Sequence, residues 1–193
     1  MNMQRTETAP HPFRWTREAY HRLGELSFFP QNRRVELIEG EIIQMSPIGP
    51  RHAGVVYFLN DYFGQLRGRA LLGPQGPLGL SESSEPEPDL MLLQFRSDYY
   101  SKSHPTVADV LLVIEVSHTS AEFDLTKKME IYASAGIPEY WVVDLNRDLV
   151  VVHREPTDLK YSNVQECGAD DVVAPKAFED VELAVRDILL LDE

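Results

Sequence analysis

The segment Pro88-Asp89-Leu90-Met91-Leu92-Leu93 places a carboxylate directly before a short apolar run. A second apolar run, Val110-Leu111-Leu112-Val113-Ile114, ends at Glu115, which follows Asp89 by 26 residues. Short, continuous apolar runs are typical of strands buried on both faces of a sheet. A carboxylate at the edge of such a strand is costly to bury unless it is paired or binds a cation. We therefore expect two buried strands, each with an acidic side chain held at its edge.

The sequence after Glu115 predicts a crossover to another strand. Thr119 and Glu122 have the spacing of a capping box and predict a helix that runs to about Ala135. Gly136 is a typical helix end, and the apolar run Glu139–Asp144 then predicts a strand. A strand, a helix and a strand in this order form a βαβ-like unit, which favours a mixed sheet with the helix packed on one face.

The rest of the chain predicts further elements around this unit. Thr16 can cap a helix that ends near Leu26, and Glu39-Gly40 reads as the tight turn of a hairpin. The Pro- and Gly-rich residues 70–80 allow only an irregular or edge strand. The remaining predictions are a core-facing helix at 52–66, a strand at 149–153, strands within 160–183 that extend the sheet, and a short helix or strap at 185–191. These elements predict an α/β (α+β) fold.

Length and composition favour a single domain in the cytoplasm. A chain of 193 residues can bury one sizeable core, so we expect one domain at 13–193 after a loose polar tail at 1–12. That tail lacks the apolar segment of a signal peptide, and no apolar run reaches the length of a membrane span. Cys167 is the only cysteine, which excludes an internal disulfide and fits a reducing cytosol.

The charge balance opposes general binding of polyanions. The chain has 18 Lys and Arg against 31 Asp and Glu, a net charge of −13, whereas DNA-binding proteins usually present a basic surface. Arg33-Arg34, Arg51 and Lys127-Lys128 nevertheless offer local basic patches. A metal site also requires local acids and then reverses their charge.

Two acids with a lysine pair downstream indicate metal-dependent hydrolysis. Cleaving a phosphodiester requires stabilisation of charge on the phosphoryl oxygens and a nucleophilic water. A hard cation such as Mg²⁺, held by one or two carboxylates, supplies both. Asp89 and Glu115 are the candidate ligands for such a cation.

The lysine has two interpretations. Asp124, Lys128 and Tyr132 are spaced i, i+4, i+8 on the predicted helix. An ordinary Asp124 to Lys128 ion pair would contribute only ~0.3 to 0.5 kcal/mol on an exposed helix. Alternatively, Lys128 points over the end of the Glu115 strand, where it orients the attacking water or stabilises charge on a phosphate.

An ordered series of motifs runs through residues 34–144. It comprises Arg34-Val35-Glu36-Leu37-Ile38-Glu39-Gly40-Glu41-Ile42, Met45-Ser46-Pro47 with His52, Glu87-Pro88-Asp89, Ile114-Glu115-Val116-Ser117, Asp124 to Lys128 with Tyr132, and Gly136-Ile137-Pro138-Glu139-Tyr140-Trp141-Val142-Val143-Asp144. Together they resemble the bacterial Uma-type putative restriction endonuclease family of the PD-(D/E)XK nuclease superfamily. The resemblance implies a restriction-endonuclease-like core, in which helices flank a mixed central β-sheet.

The resemblance also implies a metal site. In that superfamily the acid after the proline and the acid on the next central strand bind the divalent ion, so Asp89 and Glu115 match the ligands. The Val116 carbonyl matches a further ligand, and Glu36 matches an N-terminal acid that commonly joins the site. The implied cofactor is Mg²⁺ or Mn²⁺.

The catalytic lysine departs from the usual pattern of the superfamily. The position two residues after the second acid is Ser117 rather than lysine. The resemblance points instead to Lys128 on the following helix, with Lys127 as the weaker substitute. His52 matches a recurrent position and could contact phosphate or water, although a lone histidine near a helix start is more often a cap or surface residue.

The favoured function is a metal-dependent endonuclease that acts on nucleic acid, with DNA preferred over RNA. A homodimer is one assembly in which such a chain could act. Two alternatives stay open. The net charge and the missing local lysine favour an inactive nuclease-like binding or scaffolding module. A zinc hydrolase built from His52, His118 and Asp89 is poorer because the histidines lack a zinc-binding spacing.

Overall fold

The computed structural model describes residues 11–30 and 33–191. All but the last two residues of the predicted tail at 1–12 lie outside the described residues. The central feature is a six-stranded mixed sheet with strand order β3-β4-β5-β6-β7-β8. Its strands are β3 (Ala70–Pro74), β4 (Leu90–Gln94), β5 (Val110–Ser117), β6 (Glu139–Asp144), β7 (Leu149–Pro156) and β8 (Tyr161–Cys167).

The parallel pair β5 and β6 lies at the centre of this sheet, and the other neighbouring strands are antiparallel. This confirms the predicted mixed sheet and its βαβ-like unit. The predicted edge strand is β3, whose irregular composition is tolerated because it has only one neighbour. Leu90 of β4 pairs with Ile114 of β5, so Asp89, one residue earlier, lies beside Glu115.

Each strand sends alternate side chains to the two faces of the sheet. One face packs against the helix α2 (Pro50–Phe63), where Leu59 and Phe63 share a core with Leu92 and Ile114. On the other face, Val113 and Val142 pack with Tyr132 of the crossover. Glu115 is two residues from Val113, so the pleat directs its side chain to the crossover face.

The crossover between β5 and β6 has three parts: α3 (Ala121–Phe123), a π-helical turn (Asp124–Lys128) and α4 (Met129–Ala135). The predicted capping box at Thr119 is wrong, because Ser120 is the N-cap. The Ser120 hydroxyl donates to Asp124 Oδ2 at 2.7 Å instead of capping the backbone. The helix ends as predicted at Gly136, whose φ of 81° suits glycine.

The N-terminal part contributes α1 (Arg17–Glu25) and a hairpin of β1 (Val35–Ile38) and β2 (Glu41–Gln44). Both match the predictions, and the Thr16 hydroxyl caps α1 by accepting from Ala19 N at 3.2 Å. The hairpin is docked on the segment before β4, because Glu85 N donates to Leu37 O at 2.7 Å. This docking carries Glu36 towards Asp89.

The C-terminal segment departs from one prediction. Of its strands, only β8 extends the sheet, whereas β9 (Val172–Val173) and β10 (Leu183–Ala184) pair with each other. The short helix α5 (Val185–Ile188) forms as predicted. The helix α2 begins two residues before the predicted start, because Pro50 suits a first helical position. Among the described residues, no helix has the length and apolar character needed to cross a bilayer.

Candidate active site

The predicted site residues converge at the junction of β4 and β5. Asp89, Glu115, Glu36, His52 and Val116 all line one cavity of about 300 Å³. Three different parts of the fold deliver them: the β1–β2 hairpin, the first turn of α2 and the central strands. Side chains separated by up to 80 residues in the chain are therefore held together by the sheet and by the docked hairpin.

Asp89 is anchored by two donors to the same oxygen. Its Oδ2 accepts from Val116 N at 2.9 Å and lies 3.0 Å from His52 Nε2. Burial would raise the pKa of Asp89, but the hydrogen bonds from His52 and from Val116 N keep it below its ordinary value. Asp89 Oδ1 has no hydrogen-bond partner within the described part of the chain. One carboxylate oxygen is thus fixed and the other is available to a ligand.

Lys128 lies between two buried carboxylates. Its Nζ is 2.8 Å from Glu115 Oε1 and 3.0 Å from Glu36 Oε2, and all three side chains are almost fully buried. Burial alone would lower the pKa of Lys128, but Glu115 and Glu36 raise it above its ordinary value. The lysine therefore stays protonated. The geometric prediction that Lys128 reaches Glu115 is confirmed, and its catalytic role stays a prediction.

Glu115 receives a second donor from the same helix. Tyr132 donates its hydroxyl to Glu115 Oε1 at 2.8 Å, so this oxygen has two donors. Burial raises the pKa of Glu115 well above its ordinary value, Lys128 opposes that rise, and the acids Asp124, Asp89 and Glu36 add to it. The site therefore favours a cation near Glu115.

The π-helical turn distinguishes the two neighbouring lysines. Such turns widen the helix by one residue and are frequent at functional sites. Lys128 is directed inwards, whereas Lys127 is half-exposed and pairs with Glu39 on the hairpin. An ion pair between Asp124 and Lys128, the simpler interpretation of the sequence, is not found within residues 11–30 and 33–191. The structure thus separates the two lysines that the sequence left as alternatives.

Asp124 is a cavity residue that the sequence analysis did not assign to the site. Its Oδ2 accepts from the hydroxyls of Ser117 at 2.6 Å and Ser120 at 2.7 Å, while Oδ1 is buried without a hydrogen bond. The sequence did carry a signal, because Ser117 and Ser120 precede Asp124 by seven and four residues. At these distances both hydroxyls can lie near the Asp124 carboxylate where β5 leads into the helix. Ser117, where the superfamily usually has lysine, therefore supports an acid of the cavity.

His52 and His118 occupy different places in the cavity. His52 is mostly buried, and its Nδ1 has no hydrogen-bond partner. His118 follows β5 and is exposed at the rim. The predicted role of His52 in contacting phosphate or water is untested, but its contact with Asp89 shows that it orients one of the candidate ligands.

Comparison with known proteins identifies the family. Residues 17–186 match the family model Uma2, described as "Putative restriction endonuclease". The chain belongs to the Uma2 family. This confirms the resemblance, and all of the predicted site residues lie within the matched region. No curated protein matches the sequence.

A solved structure shares the fold of this Uma2 member. A protein from Anabaena variabilis, described as a putative nuclease belonging to DUF820, is 19% identical and superposes with a TM-score of 0.66. The similarity covers 87% of this chain and 97% of that chain. It therefore extends over nearly the whole neighbour and confirms the predicted nuclease-like fold with a mixed central sheet.

The side chains of this Uma2 site suit a hard cation. Four carboxylates, Glu36, Asp89, Glu115 and Asp124, line the cavity, and the ammonium of Lys128 pairs with only two of them, Glu36 and Glu115, so this cluster has an excess of negative charge. In the described ranges, no three His, Cys, Asp or Glu side chains are arranged to enclose a metal ion by themselves. Mg²⁺ is typically held by one or two carboxylates with waters and substrate phosphates completing its shell. Two acids with free oxygens fit that mode of binding.

Proposed function

We propose that this protein is a metal-dependent endonuclease that hydrolyses phosphodiester bonds of nucleic acid, with DNA as the favoured substrate. The observation that carries the proposal is the buried ammonium of Lys128, which pairs with Glu115 directly behind the cavity that Glu115 and Asp89 line. A buried lysine among acids is costly to maintain, which favours a chemical role over a purely structural one.

We assign Asp89 and Glu115 as the residues that hold Mg²⁺ or Mn²⁺, with the Val116 carbonyl as a further ligand. When bound, the cation would neutralise charge on the phosphoryl group and favour ionisation of the attacking water. His52 and Val116 N fix the orientation of Asp89. Tyr132 fixes the orientation of Glu115.

Lys128 acts as a positive charge and a donor rather than as a base. Because it stays protonated, it cannot accept a proton from water. An ammonium has three N–H donors, and Glu115 and Glu36 engage two of them. The third can stabilise the charge that develops on the phosphate. Glu36 positions the lysine, because Lys128 Nζ donates to its Oε1 at 3.3 Å and lies 3.0 Å from its Oε2.

The two lysines supply a matched test. The full chain is incubated with supercoiled plasmid, circular single-stranded DNA or RNA, in Mg²⁺, Mn²⁺ or chelator. We expect metal-dependent cleavage of a circular substrate, which requires an endonuclease. Lys128→Met should lower the rate about 10²- to 10³-fold, as for loss of a preorganised charge. Lys127→Met should change it less than about threefold, because Lys127 forms only an exposed pair.

Each other outcome has a defined meaning. Lys128→Arg, which keeps the charge, replaces the methionine variant if the latter does not fold. Equal rates in the parent and in both Lys128 variants would contradict the assignment of Lys128. If the chain binds Mn²⁺ but cleaves no nucleic acid, the inactive binding module is favoured. The net charge of −13 also supports that alternative. Activity with Zn²⁺ alone would favour the histidine-based hydrolase.

A further inference from the structure

The acids of the candidate site are recessed from the protein surface. Asp89 is 5% exposed, Glu115 is 4% exposed and Glu36 is fully buried. The backbone phosphates of a duplex lie on the outside of a wide, stiff cylinder, because the persistence length of DNA is about 150 base pairs. A duplex would have to bring a phosphate from its stiff outer surface to acids that are almost fully buried, whereas a flexible single strand can bend towards them.

The cavity continues into a neighbouring groove. A second depression of about 480 Å³ adjoins the cavity and shares with it Arg34, Met45, Ser46, Pro47 and Ile48. The hairpin and the connection from β2 to α2 form the walls that the two spaces share. A strand that places one phosphate beside Asp89 and Glu115 thus has a path for its neighbouring nucleotides.

Arg34 lies where the cavity meets the groove, and it is poorly engaged by protein. Its one side-chain hydrogen bond to the described residues is a long contact of 3.4 Å with Glu87 O. Arg51, which also lines the cavity, is instead held by Asp148 at 2.6 Å and Leu145 O at 2.9 Å. An arginine presents five donors in a planar fork that matches a phosphate. Arg34 thus has donors to offer to a phosphate.

The shared wall also offers apolar contact. Pro47 and Ile48 are exposed beside Arg34, and Ile48 is 39% exposed. Single-stranded sites combine a positively charged groove that follows the backbone with aromatic side chains on which the bases stack. Here Pro47 and Ile48 supply non-aromatic contact in place of such a ring. A narrow path of this kind also agrees with a net charge of −13, which opposes the broad basic face that duplex binding needs.

We propose that the site takes a single-stranded segment of nucleic acid, whose backbone passes from the cavity into the groove and contacts Arg34 through a phosphate. The inference rests on the proposed function and names its substrate class. Arg34 is a positioning residue in this account. It fixes the register of the strand, while Asp89, Glu115 and Lys128 act at the scissile phosphate.

The test compares cleavage and binding of one labelled oligodeoxythymidine and of the blunt duplex of the same length. We expect kcat/KM for the single strand to exceed that for the duplex at least about 100-fold. Arg34→Gln should raise KM about tenfold with little change in kcat, as for loss of one charge-assisted hydrogen bond. It should also lower the salt dependence of binding by a slope of about 0.7, the value for one phosphate contact on a single strand.

Two variants control for charge and for geometry. Arg69→Gln removes the same charge near the C-terminal end of β4, opposite Asp89, where Arg69 pairs with Asp180. It should leave KM and the salt slope unchanged. Arg34→Lys should restore the salt slope, because it keeps the charge, but only part of the affinity, because it lacks the planar fork.

Binding to the Glu115→Gln chain separates the two proposals. Suppose that the parent cleaves neither substrate, but that the single strand binds to Glu115→Gln with a salt dependence that Arg34→Gln lowers. The hydrolytic function then fails, and the assignment of the groove stands. Cleavage of the duplex as efficient as that of the single strand would overturn the inference and leave the nuclease. An unchanged salt slope in Arg34→Gln would overturn the assignment of Arg34.

Discussion

Two buried acidic centres lie near opposite ends of the central parallel strands, and they are built differently. At the start of β6, Glu139 is fully buried and fully bonded. Its Oε1 accepts from Arg154 Nε at 2.7 Å and Trp141 Nε1 at 2.9 Å, and its Oε2 accepts from Lys176 N at 2.6 Å. At the end of β5, Asp124 Oδ1 is buried without a hydrogen bond, and Glu36 Oε2 has only the charge of Lys128 Nζ at 3.0 Å, outside hydrogen-bond geometry.

The difference separates a structural acid from candidate functional ones. A buried carboxylate is tolerated when donors satisfy it, and Glu139 has as many donors as a structural role requires. The second centre lines a cavity, has more carboxylates than cations and leaves oxygens unused. Unpaired polar atoms beside open space point to a group that binds there. We therefore expect the same residue type to have different roles at the two ends of the sheet.

The largest expected contrast between the centres is in catalysis. Glu115→Gln should lower kcat for cleavage of a circular DNA about 10³-fold, because a ligand of the cation loses its charge. Glu139→Gln should keep the rate within about threefold, measured at a temperature where both variants are folded. A loss of equal size in both would contradict the separation of the two centres.

The stabilities should show the reverse order. Glu139→Gln should lower the free energy of unfolding by about 3 kcal/mol, because the partly buried Arg154 guanidinium loses its carboxylate counter-charge and an amide N–H faces Lys176 N–H. Glu36→Gln should change it by less than about 1 kcal/mol, because Lys128 keeps Glu115 and the cluster loses one repulsive charge. Urea unfolding of the metal-free proteins measures both values. A larger cost for Glu36→Gln would reverse the interpretation.

Two buried tyrosines allow a further comparison between a residue at the candidate site and one away from it. Tyr132 donates to Glu115 Oε1, whereas Tyr161 donates to Ile137 O at 3.0 Å, away from the cavity. Removing either hydroxyl should cost about 1 kcal/mol of stability. Tyr132→Phe should also lower kcat about tenfold, because Glu115 loses a fixed orientation, while Tyr161→Phe should not. Equal rates in both variants would show that Tyr132 is only structural.

The smallest expected effect is a dependence of stability on pH that comes from His153, which lies near Glu139. His153 is buried against Tyr140, and burial lowers its pKa below the ordinary value of about 6.5. At a pH between the lowered pKa of folded His153 and its ordinary value in the unfolded chain, the unfolded chain binds more protons than the folded protein. The free energy of unfolding should therefore fall as pH drops below about 6.5. The slope is at most about 1.4 kcal/mol per pH unit. His153→Phe should remove this contribution in unfolding curves across pH, and an unchanged slope would contradict it.

Much of the sheet could be predicted because the apolar pattern of each strand in the sequence agrees with its burial in the folded protein. The apolar runs at Leu90–Gln94 and Val110–Ser117 have no other stable place than a buried sheet, and acids beside them must lie at the strand ends. The glycine at position 136 and the Glu39-Gly40 turn carry backbone requirements that few other residues meet. The positions of Asp89 and Glu115 follow from these local rules.

The rest depended on contacts between distant segments. A regular helix was expected at Asp124–Lys128, but the fixed positions of Ser117, Glu115 and Glu36 favour a π-helical turn that no local spacing reveals. The same is true of β9 and β10, which pair with each other although their composition suits the main sheet. Asp124 is different, because its partners Ser117 and Ser120 are close in the chain, and it was missed because an acid at this position also suits an ordinary ion pair with Lys128.

The most direct measurement of the central claim is a calorimetric titration of Mn²⁺ into the parent, Asp89→Asn, Glu115→Gln and Glu139→Gln. It needs no assumption about the substrate. The parent and Glu139→Gln should bind Mn²⁺ alike, whereas Asp89→Asn and Glu115→Gln should lose binding. No binding by the parent, or an equal loss in Glu139→Gln, would contradict a two-acid metal site at the end of β5.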